Sequence, residues 1–217
     1  MEFMDEAVER VKNIWEDCAH APFVEEMGKG TLDKEKFLDY IVQDSIYLRG
    51  YVKEFAHALT KATTLKDMQD YYEAMGFVND SENKTRLDYL KDHGMCDADV
   101  DHQKPHRQCA DYLAFLEENG SKGEEEIMMA VMPCMMGYHH VFKTLAKQRP
   151  EVFDSYYGPL VKDYASQAFK DCCDFWEKKV NLKCNDLSSS RKEELIEIFT
   201  QASLHELAFW QMAGGER

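Results

Sequence analysis

One cysteine stands directly after the proline of a long apolar run, in Met132-Pro133-Cys134-Met135-Met136-Gly137-Tyr138. Around it Ile127, Val131, Met135, Tyr138, Phe142 and Leu145 recur every three to four residues, the spacing of one helical face. Proline has no N–H and collides with the carbonyl one turn earlier, so the sequence predicts a kink at Pro133 that frees the Met129 carbonyl and opens space beside Cys134. Tyr138 follows four residues on, which places phenol and thiol on the same side of the helix. A thiol so placed is either a small core hydrophobe or a nucleophile. Two acids sharpen the choice. Asp44 lies one turn before Tyr47 and Leu48, and Glu206 is followed by Leu207, Phe209 and Trp210. Burying an ionised carboxylate is costly unless a partner holds it, and neither acid has a basic neighbour in sequence, a pattern that invites a ligand. Tyr47, Tyr112, Tyr138 and Tyr164 complete the candidate set, though tyrosines at helical spacing serve equally well as core aromatics.

Two other chemistries compete. A dinuclear carboxylate centre needs two Glu-x-x-His pairs on facing helices, and the chain has one, Glu54–His57. A lone histidine such as His20 is a candidate haem ligand, but its ordinary role is local hydrogen bonding. No cofactor and no metal is therefore expected.

The elements that must carry these groups all read as helices. Ala7, Val8, Val11, Ile14, Trp15 and Cys18 form a first stripe ending near Pro22, with a short continuation through Phe23 and Met27. After Gly28-Lys29-Gly30, Asp33 caps a long aromatic-rich helix through Phe37, Tyr40, Tyr47, Tyr51 and Phe55. Thr64 and Asp67 resemble a capping box. It opens a helix running to Leu90, bent at Gly76 and including Phe77 and Val78, with a stop at His93-Gly94. Residues 95–105 read as an acidic loop, followed by a helix from about His106 to Gly120. After the Pro133 helix, Gly158-Pro159 introduces one continuous helix through Trp176, and Ser188-Ser189-Ser190 offers N-caps for the last, where Ser190 with Glu193 makes a capping box. No two-residue alternation with turn signals is present, so the reading is all-α, in seven or eight helices.

Composition bounds the rest. With 217 residues, 5 Pro and 11 Gly, and neither a linker nor a repeat, residues 1–217 read as a single domain. A net charge of −15 argues against nucleic acid and against anionic membrane surfaces, and no apolar run reaches the roughly 20 residues of a spanning helix. The acidic start lacks a signal-peptide pattern. Seven cysteines without Cys-x-x-Cys spacing fit free thiols in a reducing cytoplasm.

Gly30-Thr31-Leu32 with Phe37, Tyr40 and Gln43-Asp44-Ser45-Ile46-Tyr47-Leu48, then Met132-Pro133-Cys134 with Tyr138, Asp163-Tyr164-Ala165-Ser166 with Phe169, and His205-Glu206-Leu207-Ala208-Phe209-Trp210 together resemble the TenA (thiaminase II, aminopyrimidine aminohydrolase) family. The resemblance implies a haem-oxygenase-like helical bundle enclosing one central cavity, usually a homotetramer. The implied reaction is hydrolysis of thiamin, or of the aminomethylpyrimidine left by its breakdown, to 4-amino-5-hydroxymethyl-2-methylpyrimidine. Carried over, Cys134 is the nucleophile, Glu206 the acid/base group and Asp44 the reader of the aminopyrimidine edge. Tyr47, Tyr138 and Tyr164 surround the ring, and Tyr112 lies near the thiol. Ser45 and Met136 replace aromatic residues common in the family; if those positions touch the pocket, its outer wall is less aromatic and its leaving-group preference differs. The alternative is a protein of the same fold that holds a small ligand without turning it over.

Overall fold

In the computed structural model, residues 2–76 and 81–215 are described, and among them lie eleven α-helices, one 3-10 helix and no strand. The helices are α1 (Phe3–Ala19), α2 (Pro22–Gly28), α3 (Lys34–Lys61), α4 (Leu65–Gly76), α5 (Ser81–Asp92), α6 (Asp97–Val100), α7 (Arg107–Gly120), α8 (Glu124–Gln148), α9 (Gly158–Ala165), α10 (Gln167–Cys184) and α11 (Ser189–Ala213), with the 3-10 helix at Pro150–Asp154. Phe77 and Val78, expected on a single bent helix, lie outside the described residues.

Local chemistry sets most helix ends. Asp33 accepts hydrogen bonds from the N–H groups of Glu35 and Lys36 at 2.9 and 3.1 Å, satisfying donors that a helix start leaves unpaired. At α4 the Thr64 hydroxyl accepts the Asp67 N–H at 3.0 Å and donates to its carboxylate at 2.8 Å. Beyond α5, Gly94 takes the left-handed conformation, φ 72°, and Met95 N–H returns to the Leu90 carbonyl at 2.9 Å.

Three boundaries differ from the sequence reading. The helix expected from Gly158 through Trp176 is two, because Ser166 leaves helical geometry and its hydroxyl accepts the Phe169 N–H at 3.0 Å, capping α10. The last helix is capped by Ser188, not Ser190, and Glu193 instead meets Arg10 of α1 at 2.9 Å. The acidic loop contains the one-turn α6, where the Asp99 carboxylate accepts the Cys96 N–H at 2.7 Å.

The buried apolar side chains form one cluster drawn from every long helix. α8 lies at its centre, packed by α11, α1, α3, α7, α9 and α10. The helix continues on both sides of Pro133, which has no N–H to give the Met129 carbonyl. Trp15 of α1 closes on the helix beside Gly137, where an added Cβ would meet the indole at 3.5 Å. α3 and α11 flank α8 and carry the acids.

Candidate active site

Helical periodicity brings the candidate residues together from five helices. On α3, Tyr40, Asp44 and Tyr47 follow the i, i+4, i+7 face. On α8, Cys134 and Tyr138 are one turn apart, and on α11 the group is Glu206, Phe209 and Trp210. α7 adds Tyr112 and α9 adds Tyr164. All seven sequence-selected residues are buried, the most exposed being Cys134 at 9 %.

Two polar centres result. In the first, the Tyr112 hydroxyl donates to Glu206 Oε1 at 2.8 Å, and the Cys134 thiol is within hydrogen-bonding reach of the same carboxylate. Tyr47 packs on Tyr112, centroids 4.7 Å apart, and on Phe209 at 5.9 Å. Its hydroxyl is fully buried against Tyr112 without a well-formed hydrogen bond. A buried hydroxyl of this kind is costly unless a partner arrives, so it is a natural contact for a polar ligand. In the second centre, Tyr40 donates to the Tyr138 hydroxyl at 3.3 Å and Tyr138 to Asp44 Oδ1 at 3.4 Å. Tyr164 packs on Tyr138 at 4.9 Å and on Phe142 at 5.2 Å, and Trp210 stacks on Tyr40 at 5.7 Å.

Burial dominates the acid–base properties. It pushes the Glu206 carboxyl up to about 8, assisted by the Asp44 charge and opposed by hydrogen bonds from Tyr112 and Cys134. Burial also pushes Asp44 up to about 7, against the pull of Arg86 and of the Tyr138 hydroxyl. Near neutral pH Glu206 is therefore mostly a neutral acid able to give a proton, while Asp44 is poised near half ionisation. Among the other cysteines, burial pushes Cys109, Cys173 and Cys184 up to about 12, which keeps them as inert core thiols.

The fold gives three residues surroundings that sequence neighbours do not. Asp44, without a basic neighbour in sequence, feels the charge of Arg86 on α5. The Ser45 hydroxyl donates to the Ile41 carbonyl at 2.5 Å and accepts from Arg86 Nη1 at 2.5 Å. Met136 lines a groove of about 240 Å³ with Trp15, His139 and His140. Sequence reasoning also passed over Tyr40, whose helical spacing from Asp44 was visible, and Arg86, for which no local signal exists because its partner Ser45 lies 41 residues away. Glu54 and His57, the lone Glu-x-x-His pair, hydrogen-bond to each other at 3.2 Å.

Comparison with known proteins places this arrangement. The sequence matches the TENA/THI-4/PQQC family over residues 8–216. It is 30% identical over 209 residues to an aminopyrimidine aminohydrolase from Helicobacter pylori, covering 94% of this chain and 95% of that one. It is also 30% identical over 219 residues to an aminopyrimidine aminohydrolase from Halalkalibacterium halodurans, covering 100% and 97%. In three dimensions it superposes on a TenA homologue from P. horikoshii with a TM-score of 0.86 at 24% identity, over 100% of both chains. Family match, near-complete coverage and a shared haem-oxygenase-like helical fold agree, and the chain belongs to the TENA/THI-4/PQQC family.

Proposed function

We propose that the protein is an aminopyrimidine aminohydrolase of the thiaminase II type, serving thiamin salvage. It would hydrolyse thiamin or an aminomethylpyrimidine breakdown product at the pyrimidine methylene to give 4-amino-5-hydroxymethyl-2-methylpyrimidine. Its aminohydrolase relatives support the reaction class, and the observation that carries the site is the buried convergence of Cys134, Tyr112 and Glu206. Such a pyrimidine becomes electrophilic once a ring nitrogen is protonated, and Glu206, held neutral by burial, supplies that proton. The Cys134 sulfur then bonds to the ring carbon next to the one carrying the methylene, its proton passing to the departing amine (or to solvent when a thiazole leaves), and the exocyclic C–N bond breaks. Water adds to the exocyclic carbon, Glu206 recovers its proton from the ring, and expulsion of the Cys134 sulfur, which takes the proton given up by that water, restores aromaticity and the thiol. Covalent capture divides one difficult displacement into easier steps. Asp44 accepts from the exocyclic amine. Tyr47, Tyr138 and Tyr164, with Phe209, bound the ring, and Tyr112 holds the Glu206 carboxyl in place.

On this reading residues 1–217 act as one domain, in a homo-oligomer and by family analogy a tetramer. All seven cysteines are outside disulfides, which suits a reducing cytoplasm. The reaction as written needs no cofactor.

The decisive measurement is release of hydroxymethylpyrimidine by purified protein given thiamin and aminomethylpyrimidine side by side. Cys134→Ser and Glu206→Gln are each expected to lower turnover at least about 100-fold. The double variant should be little worse than the poorer single, since groups acting as a unit lose their effects together. A Cys134→Ser enzyme with near-normal turnover would leave Glu206 as base for a directly attacking water. Saturable binding with no product would establish the ligand carrier instead.

A further inference from the structure

Asp44 and Glu206 are buried carboxylates near enough to repel, each 4 % exposed or less. The reaction above asks opposite things of them: Asp44 must accept a hydrogen bond as an anion, and Glu206 must hold a proton. Burial alone does not divide the roles, because it favours the neutral form of both. The groups bearing on Asp44 come from each element packed around it. They are Tyr40 through Tyr138 on the α3 and α8 side, Cys109 from α7, Glu206 from α11 and Arg86 from α5. Arg86 is the cation in this set.

Its guanidinium is built in. Arg86 is 5 % exposed. Nη1 donates to Ser45 Oγ at 2.5 Å and to Asp97 Oδ1 at 3.2 Å, and Nη2 donates to Asn83 Oδ1 and, at 3.3 Å, to Asp97. Ser45 is the residue after Asp44, and its hydroxyl is itself anchored on the Ile41 carbonyl, so the clamp fixes the cation relative to the turn of α3 that carries the acid. Asp97 does not cancel the charge. Its side chain is 51 % exposed, where solvent screens it, and it is shared with Arg49 at 3.2 Å. The buried Nε of Arg86 has no hydrogen-bond partner among the described residues.

We propose that Arg86 is a positioning residue that makes Asp44 the anionic member of the Asp44–Glu206 pair, so that Asp44 reads the substrate amine while Glu206 keeps the proton it donates. The electrostatic part stands on the geometry of Arg86, Ser45 and Asp44, and the catalytic consequence rests on the function proposed above. Removing the cation should protonate Asp44 and, by relieving repulsion, make Glu206 a stronger acid. The two limbs of the pH–rate profile then move toward each other: the acidic limb rises with Asp44 and the alkaline limb falls with Glu206.

The test is a pH titration of the ligand-free protein carrying ¹³C-labelled aspartate carboxyls, with Asp44→Asn to assign the signal. In Arg86→Met the Asp44 midpoint should rise by on the order of one pH unit or more. It should stay near wild type in Arg86→Lys, and shift less but in the same direction in Ser45→Ala, which loosens the clamp and keeps the charge. In the same proteins KM for aminomethylpyrimidine should rise about 10-fold in Arg86→Met, with the narrowed pH profile, and largely recover in Arg86→Lys. An unmoved Asp44 midpoint in Arg86→Met overturns the proposal whatever the kinetics. Should that variant fail to fold by thermal unfolding, a Ser45→Ala midpoint equal to wild type overturns it. A moved midpoint in a protein that releases no hydroxymethylpyrimidine supports the electrostatic assignment and overturns the function assigned to it.

Discussion

Between α4 and α10, Asp67 and Asp70 meet Lys179, and Asp67 also meets Lys183 at 3.2 Å; at the centre of the bundle, Asp44 and Glu206 meet tyrosine hydroxyls and a thiol. Burial pushes all four carboxyls up, but on α4 the hydrogen bonds of Lys179, Thr64 and Lys183 outweigh it and hold Asp67 at about 2. In the interior no lysine or arginine hydrogen-bonds to either acid among the described residues: Arg86 lowers Asp44 through its charge alone, and Glu206 stands at about 8. The difference lies in the partner rather than the residue type. A lysine turns an acid into a permanently charged tie between helices, whereas a phenol leaves it free to carry a proton at neutral pH. The first arrangement fastens α4 to α10, and the second can do acid–base work.

The contrast breaks most visibly at Asp44. A site built to hydrogen-bond an amine rejects an analogue lacking it by about 10⁴-fold in strong cases. Wild-type protein should therefore strongly favour the 4-amino substrate over its 4-deamino analogue in kcat/KM, and Asp44→Ala should reduce that preference to roughly 10-fold or less. Equal reaction of both substrates with wild type would show that Asp44 does not read this edge.

Asp67→Asn should instead leave turnover intact and cost stability, about 2 kcal/mol for removing one partner of a pair that is only partly screened. Thermal unfolding should register a loss of about 4–8 °C at neutral pH. Because the folded pKa of Asp67 lies below its unfolded value of about 4, this contribution is full above that value and is lost as pH falls through about 2. A variant with unchanged melting temperature at pH 7 would mean the lysine cluster is decorative.

A second stability effect has the opposite sign. Glu206 has a folded pKa above its unfolded value of about 4.3, so the wild type binds the proton more tightly when folded and loses stability as pH rises from there through about 8. Glutamine does not titrate. The melting temperature of Glu206→Gln relative to wild type should therefore climb by about 10 °C between pH 5 and pH 8, even as activity falls. A difference that is flat with pH would contradict an acid strained by burial.

What could be read from the chain divides along the range of the interactions involved. Asp33 and Thr64 announce their caps because donor and acceptor lie within three residues. The site acids stand out because a charge interrupts a helical stripe, and the tyrosines follow from the same period. Ser188 and Ser190 offer one local signal in duplicate, and only the packing of α11 against α1, with Arg10 taking Glu193, decides between them. Ser166 hides inside an otherwise acceptable helical pattern. Arg86 is the clearest loss: on sequence it is one more polar residue of α5, and its importance comes from contacts 41 and 11 residues away.

Three successive residues of α3 point in three directions. The Gln43 side chain holds the chain entering α7, accepting the His106 N–H at 2.7 Å and donating to the Lys104 carbonyl at 3.2 Å; Asp44 faces the interior, and Ser45 grips Arg86. This single turn is a junction from which two walls of the chamber hang. For anyone reshaping the pocket toward other heterocycles, α3 is thus the wrong place to start, since a change there unseats neighbours on both flanks. The phenyl ring of Phe209 on α11, which has no polar atom and packs on Tyr40 and Tyr47, offers the more forgiving route to new specificity.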